Sequence, residues 1–432
     1  MISGDTGITV FESQFSKTAS TQAASRQFGH SRFRGGKARS TFMAALPAMP
    51  LLIFLFVFLV LPMSFIVHTA ISDKQISSIL PRTTNALEHW SGTGLPEAEI
   101  YKSLGQELEA ASNNGSLRQI GRRVEFELTR GSTIILNAQN SLANDFNRSE
   151  AEAWKATLIE ADPALGQTMI WKIIQRYDGR YSTFYLRWAT GFTVKFNADG
   201  RPSAEPGYDF RAIYIRTIAI SILVTALTIL VGYPVAYVIA GATGRTAAIL
   251  LFFILLPFWT SLLVRTMSWI VVLQTNGVLN EALEASGLRS TPLSLLYTRT
   301  ATLLAMIQIQ LPFTVLPMIS VMRAIPANQV RAARSLGAAP LFAHRTIFLP
   351  QALPGIAAGG LLTFVLCLGF YLTPALVGGP SDQMVSFFIA RFTNQELNWG
   401  LAAALSVVLV IGASLVALPL ARLVALNSSG RA

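Results

Sequence analysis

The sequence predicts an all-α membrane protein: six transmembrane helices, with a soluble α+β extracytoplasmic insert between helices 1 and 2. Three observations predict it. Hydrophobic residues make up 52% of the 432 and charged residues only 13%, with a mean hydropathy of +0.46. A soluble chain of this length would lack the polar surface to cover itself. Six apolar stretches each approach the length of about 20 residues that a helix needs to cross a bilayer core. Finally, 17 of the 23 Asp and Glu fall between Asp73 and Asp209, so acidity is concentrated in one segment.

Taken in order, residues 1–42 are Ser/Thr/Gly-rich and basic, the composition of a disordered cytoplasmic tail. Gly35-Gly-Lys-Ala38 is not a phosphate loop, because Ala38 stands where Ser or Thr must reach Mg²⁺ and no strand precedes it. Residues 43–71 hold the first span, Leu46–Ala70. It starts too late and runs too long for a signal peptide. Residues 72–210 form the insert. Pro96–Ala111 reads as a helix, Ser149-Glu-Ala-Glu152 resembles a capping box opening a second helix toward Ala161, and Ser182–Ala189 with Phe192–Asn197 reads as a hairpin about Gly191. The insert shows no catalytic or metal constellation, and a docking or bracing role is favoured over ligand binding. Residues 211–424 carry the other spans, Thr217–Ala240, Thr246–Val264, Thr300–Met322, Gly355–Gly378 and Leu401–Ala421, and residues 425–432 a cytoplasmic tail.

Lys/Arg bias sets orientation. With the N-terminus inside, the cytoplasmic segments hold Lys17, Arg26, Arg32, Arg34, Lys37, Arg39, Arg245, Arg323, Arg331, Arg334, Arg345, Arg422 and Arg431. The short outer loops hold only Arg265, Arg289, Arg299 and Arg391. Both termini are therefore expected in the cytoplasm. The net charge of +11 sits at the ends of apolar runs, which suits lipid head groups and argues against a nucleic-acid surface. Cys367 is the single cysteine, so no internal disulfide forms, and the four His are scattered without metal-ligand spacing.

The informative segment is the loop 323–354, which contains Val330-Arg-Ala-Ala-Arg-Ser-Leu-Gly-Ala-Ala-Pro-Leu-Phe-Ala-His-Arg-Thr-Ile-Phe-Leu-Pro350. Asn328–Leu336 is expected to form a short helix, small at Ala332 and Ala333. Gly337 suits the φ > 0 conformation that ends a helix, and Pro340 the first position of the next. Leu349-Pro350 is expected to halt that second helix before the membrane.

Here the chain resembles the permease family of binding-protein-dependent ATP-binding-cassette importers. That family's cytoplasmic signature is Glu-Ala-Ala, three residues, Gly, nine residues, Ile, any residue, Leu-Pro. Ala332, Ala333, Gly337, Ile347, Leu349 and Pro350 match it with every gap correct, while Arg331 replaces the acidic residue. Leu256-Pro-Phe-Trp-Thr-Ser-Leu-Leu-Val-Arg-Thr-Met-Ser-Trp269, Asn276-Gly-Val-Leu-Asn280 and Gly378-Gly-Pro-Ser381 look like the spermidine/putrescine-type permeases. The resemblance implies a non-enzymatic, multi-pass subunit of a bacterial inner membrane whose loop is a coupling helix. It also implies a second permease, two ATPase subunits that bind ATP and Mg²⁺, and an extracytoplasmic solute-binding protein, with no cofactor in this chain.

Candidates for the translocation path are Trp259, Arg265, Trp269, Gln308, Gln310 and Tyr371. Each has a second reading: Arg265 snorkelling to the interface, the glutamines bonding between helices, the aromatic residues packing or forming an interfacial belt. No Asp or Glu falls inside an expected span, which counts against a polycation as cargo. A polyamine remains the first expectation; another small organic amine, an opine or a phosphonate is the alternative. A secondary transporter would show an internal repeat or ionisable groups at mid-membrane, and neither is apparent.

Overall fold

The computed structural model describes residues 49–73, 76–144, 150–176, 181–192, 194–203, 208–289 and 291–429. The expected disordered tail, Ser149 of the capping box, and Arg431 lie outside them.

Met49–Ser64 is a unit by itself. It belongs to helix α1, Met49–Ile71, which contains one π-helical turn at Phe56–Val60. Every side chain from Met49 to Ser64 is exposed. A helix apolar on all sides with nothing packed around it is stable only in a nonpolar solvent.

The second unit, Phe65–Ala432, begins with the insert. Its helices are α2 Pro81–Leu87, α3 Ala98–Asn113, α4 Leu117–Glu125, α5 Gly131–Asn144, α6 Ala151–Ala161, α7 Thr168–Gln175 and α8 Phe184–Ala189. They enclose their own core, in which Tyr101, Leu104, Leu108, Ile120, Leu128, Leu158, Trp171 and Ile174 are fully or almost fully buried. The expected helices at 96–111 and 149–161 are present as α3 and α6. The expected hairpin is not, and no strand occurs among the described residues; Phe196 makes only isolated bridges to Leu128 and Pro202. The insert is helical, not α+β. In Phe184–Ala189 the aromatic composition suggests a strand, but Tyr185, Trp188 and Ala189 are the buried positions, spaced for one helical face.

The membrane-type helices follow as α9 Phe210–Gly241, α10 Gly244–Leu255, α11 Leu262–Leu273, α12 Val278–Ala285, α13 Arg299–Arg323, α14 Ala327–Ser335, α15 Pro340–Gly369, α16 Leu372–Val377, α17 Val385–Asn394 and α18 Trp399–Ser429. Among the described residues six helices are long and apolar enough to cross a membrane: Met49–Ile71, Phe210–Gly241, Leu262–Ala285, Arg299–Arg323, Pro340–Gly369 and Trp399–Pro419. Helices α9, α13 and α15 pack on one another, and α18 lies against α15. Gly355 and Gly359 set the closest approach: a Cβ on Gly359 would collide with the Thr314 carbonyl, and one on Gly355 with Val321. Gly355-Ile-Ala-Ala-Gly359 is thus a packing face, where small residues let backbones touch.

Two expected boundaries are corrected. Thr246–Val264 is not one helix: Pro257 leaves a backbone N–H missing, the chain tightens to a 3₁₀ turn at Leu256–Trp259, and α11 restarts with Ser261 as its cap, accepting from the Val264 N–H at 3.2 Å. Nor does Leu349-Pro350 halt the loop helix. A π-helical turn at His344–Phe348, closed by the Leu349 N–H on the His344 carbonyl, absorbs the missing Pro350 donor, and α15 runs on unbroken.

The insert is braced on one end of the bundle. Tyr185, Trp188 and Ala189 of α8 share a buried cluster with Phe210 of α9, Phe388 and Phe392 of α17 and Leu401 of α18. At its base, Arg123 lies 3.5 Å over the Phe184 ring and pairs with Asp73 at 2.5 Å and Glu127 at 3.4 Å, all but excluded from solvent. Tyr185 donates its hydroxyl to Asp73 at 3.1 Å, and burial pushes that phenol well above the ordinary tyrosine range, against the opposing pull of the Arg123 charge.

Candidate functional site

The signature residues form one continuous feature. Helix α14 ends in a paired cap: the Gly337 N–H donates to the Arg334 carbonyl at 3.0 Å and the Ala338 N–H to the Ala333 carbonyl at 3.1 Å. That pattern requires a left-handed residue after the helix, and Gly337 adopts φ +90°. A side chain there would meet nothing within 4 Å, so backbone conformation is the only local constraint on residue 337. Arg331 and Ala332 are exposed, and Arg331 turns back to donate to the Ala327 carbonyl at 3.4 Å. Ala333 is half-buried. Ile347, Leu349 and Pro350 are half-buried at the π turn and the start of the span.

Around this turn stand three large apolar side chains whose exposure the sequence does not foretell: Leu336 at 89%, Leu341 at 67% and Phe342 at 62%. Leu336 follows the exposed α14 and Leu341 and Phe342 stand in the first turn of α15, so the three form an exposed apolar group at this turn. Helix α14 is tied to α15 by Gln351, whose amide donates to the Gln329 side chain at 2.8 Å and to the Ile347 carbonyl at 2.9 Å.

The other candidates divide into groups. Trp269 and Gln308 meet, with the indole N–H donating to the amide oxygen at 3.4 Å. Gln310, further along α13, is fully buried between helices beside the Cys367 thiol, and neither of its amide atoms has a good partner among the described residues. Arg265 folds back on the break before α11, donating to the Thr260 carbonyl at 3.0 Å and to the Pro257 carbonyl. These carbonyls end the turn Leu256–Trp259, and inside a bilayer no water would reach them. Trp259 is 74% exposed and meets Phe252 edge-on at 5.2 Å; Tyr371 is 42% exposed. No hydrogen bond or ring contact joins either to the Trp269–Gln308 pair among the described residues.

Two further charged features emerge. Asp382, just after the Gly378-Gly-Pro-Ser381 segment, is 1% exposed and accepts from Arg299 at 3.0 Å and Thr302 at 3.4 Å. A cleft of about 640 Å³ opens between the insert and the end of α17, with Arg122, Lys195 and Arg391 facing Glu125 and Glu396. Three cations against two carboxylates, one of them already paired with Arg391 at 2.9 Å, do not make a site for a polycation.

Comparison with known proteins bears on this chain. Residues 229–428 match the family model described as "Binding-protein-dependent transport system inner membrane component". The chain is similar to the spermidine/putrescine transport system permease protein PotB of Escherichia coli (strain K12), 32% identical over 200 residues, covering 46% of this chain and 72% of the relative. It is similar to PotB of Haemophilus influenzae, 31% identical over 45% of this chain and 68% of the relative. It is also similar to the inner membrane ABC transporter permease protein YdcU of Escherichia coli (strain K12), 32% identical over 46% and 67%. Among solved structures, a bacterial alginate ABC transporter in complex with an alginate pentasaccharide-bound periplasmic protein contains a chain matching 55% of this one and 85% of its own length, at 19% identity and a TM-score of 0.41.

Proposed function

Because the chain belongs to the family of binding-protein-dependent transport system inner membrane components, and is a permease subunit of an ABC importer, we propose that its cargo is a polyamine of the spermidine/putrescine class and that loop 323–354 is its coupling element. In this reading the chain forms half of a pathway with a second permease. Two ATPase subunits supply ATP and Mg²⁺ chemistry, and an external solute-binding protein delivers the cargo. Both termini and the loop face the cytoplasm.

The observation that carries the coupling reading is the exposed α14 with its Gly337 cap, flanked by Leu336, Leu341 and Phe342. A short helix with small residues on one face and apolar anchors beside it is shaped to enter a groove. Arg331, standing where the family has an acidic residue, engages its own helix among the described residues, so the apolar contacts are the docking elements here and the ion pair an acidic residue would make is lost. The relatives named for spermidine and putrescine support the cargo; aromatic residues such as Trp269 supply ring faces for an amine. Among the described residues the carboxylates within the candidate spans are Glu281 and Glu284, at the end of Leu262–Ala285, and this scarcity favours the second reading, another small organic amine, an opine or a phosphonate.

Reconstituting the complex and measuring ATP-dependent accumulation of radiolabelled spermidine tests both parts. Gly337→Asp is expected to lower accumulation by about tenfold or more, a loss of about 1.4 kcal/mol in coupling, while the chain stays in the membrane. Full accumulation by that variant refutes the coupling assignment. Accumulation of another amine in place of spermidine refutes the cargo alone.

A further inference from the structure

The inner ends of α9 and α15 are both weakened in their backbones at one level. Pro234 sits inside α9, where it removes an N–H from the helical ladder, and α15 carries the π turn His344–Phe348. Across this level the two helices are joined by side chains. The Tyr233 hydroxyl and His344 Nε2 are hydrogen-bonded at 2.7 Å. The His344 ring stacks on Phe348 at 5.2 Å and 18°, and Tyr237 stands edge-on to His344 at 4.9 Å and to Phe348 at 5.1 Å. His344 lies between Gly337 and Ile347, within the segment that the coupling reading assigns to the ATPase.

We propose that Tyr233 and His344 are positioning residues for transport: their bond makes the inner ends of α9 and α15 move as one body, so that displacement of α14 is delivered to α9 instead of being absorbed by bending at Pro234 and at the π turn. This rests on the coupling reading of loop 323–354. The physical need is plain. A helix pair with two soft points transmits a push only if something other than backbone hydrogen bonds bridges them, and the side-chain cluster sits where the ladder is interrupted. Proteins switch between discrete packings, and a contact that spans the soft region decides which elements switch together.

The test uses the full chain with Cys367→Ala, in lipid nanodiscs with its partner permease and ATPase. One spin-label pair at Arg334→Cys and Leu230→Cys crosses the latch; a second at Arg334→Cys and Leu415→Cys reports movement of α14 against α18. In the parent, ATP-Mg is expected to change the second distance and leave the first fixed. In Tyr233→Phe, which keeps the ring but loses the hydroxyl, ATP-Mg is expected to shift the first distance. The fixed population should fall about fivefold, the factor that one ordinary hydrogen bond supplies. His344→Phe should behave likewise, whereas His344→Gln, which still offers a hydrogen-bonding group, should restore the fixed distance; a merely space-filling role would rank Phe above Gln. A first distance that stays fixed in Tyr233→Phe overturns the proposal. If ATP-Mg moves neither pair in the parent, the coupling reading fails by itself; the latch is then judged without ATP, where a Tyr233→Phe distribution no broader than the parent's overturns it.

Discussion

Arg123 and Arg265 are both guanidinium groups taken out of bulk water, and the chain satisfies them by different means. Arg265 spends its donors on main-chain carbonyls at a helix break, so its charge meets partial charges and no counter-ion. That geometry supports the structural reading of the residue over a pathway role. Arg123 has full counter-charges: Asp73 and Glu127, with the Phe184 ring beneath. A buried ion pair contributes little net stability over apolar residues of the same size, yet removing one partner strands the other charge, at a cost of about 3–5 kcal/mol. Arg123→Met is therefore expected to destabilise the second unit by about that amount, since Asp73 would be left 2% exposed without its cation, whereas Glu127 keeps Arg176 at 2.9 Å. Thermal unfolding of the full chain in nanodiscs, followed by tryptophan fluorescence, measures it. Adding Asp73→Leu should recover part of the loss, because it removes the stranded charge. A single-variant cost below about 1 kcal/mol, the range of an exposed pair, would show that solvent reaches the cluster.

At the scale of elements, the bundle depends on two glycines on one face of α15. Gly359 faces the Thr314 carbonyl so closely that no side chain fits between α13 and α15. Gly359→Leu is expected to force those helices apart and to cost at least the 1–3 kcal/mol typical of overpacking, read as loss of folded chain in detergent; Gly412→Leu, whose Cβ would meet nothing within 4 Å, is the control. Wild-type yield for Gly359→Leu would mean that α13 and α15 approach differently. The Gly-x-x-x-Gly spacing of this face is local, and so is the α14 cap, which was legible in the sequence because Gly337 answers to φ alone. Features that tertiary contacts decide were not legible. The continuity of α15 through Pro350 depends on a π turn whose reward lies in the His344–Tyr233 bond, a hundred residues away in sequence. The break at Pro257 is stabilised by Arg265, which the sequence left between the translocation path and the interface. The helix at Phe184–Ala189 owes its period to a surface on α18 that local propensity cannot register.

At the scale of the whole molecule, acidity and basicity are segregated along the chain, and the structure adds that the acidic groups it describes beyond the insert are committed or peripheral. Asp382 is buried on Arg299 and Thr302, Glu396 is paired with Arg391, and Glu281 and Glu284 lie on α12. Within this multi-pass inner-membrane chain, the described carboxylates inside the candidate spans are Glu281 and Glu284, at the end of Leu262–Ala285, so a polyamine deeper in the spans would draw its counter-charge from another subunit or cross against ring faces. The same segregation makes orientation testable. Basic residues cluster at Arg323, Arg331, Arg334 and Arg345, around the exposed Leu336, whereas the charge-balanced insert presents Leu136 at 50% exposure. Positive segments are retained inside, and long, charge-balanced ones cross readily. In a Cys367→Ala background, Leu136→Cys is accordingly expected to react with a membrane-impermeant maleimide in intact spheroplasts, and Leu336→Cys only after permeabilisation. Both cysteines are placed at open positions, so failure to react reports the membrane rather than burial. Rapid labelling of Leu336→Cys in intact cells would put the loop outside and leave α14 no route to a cytoplasmic ATPase.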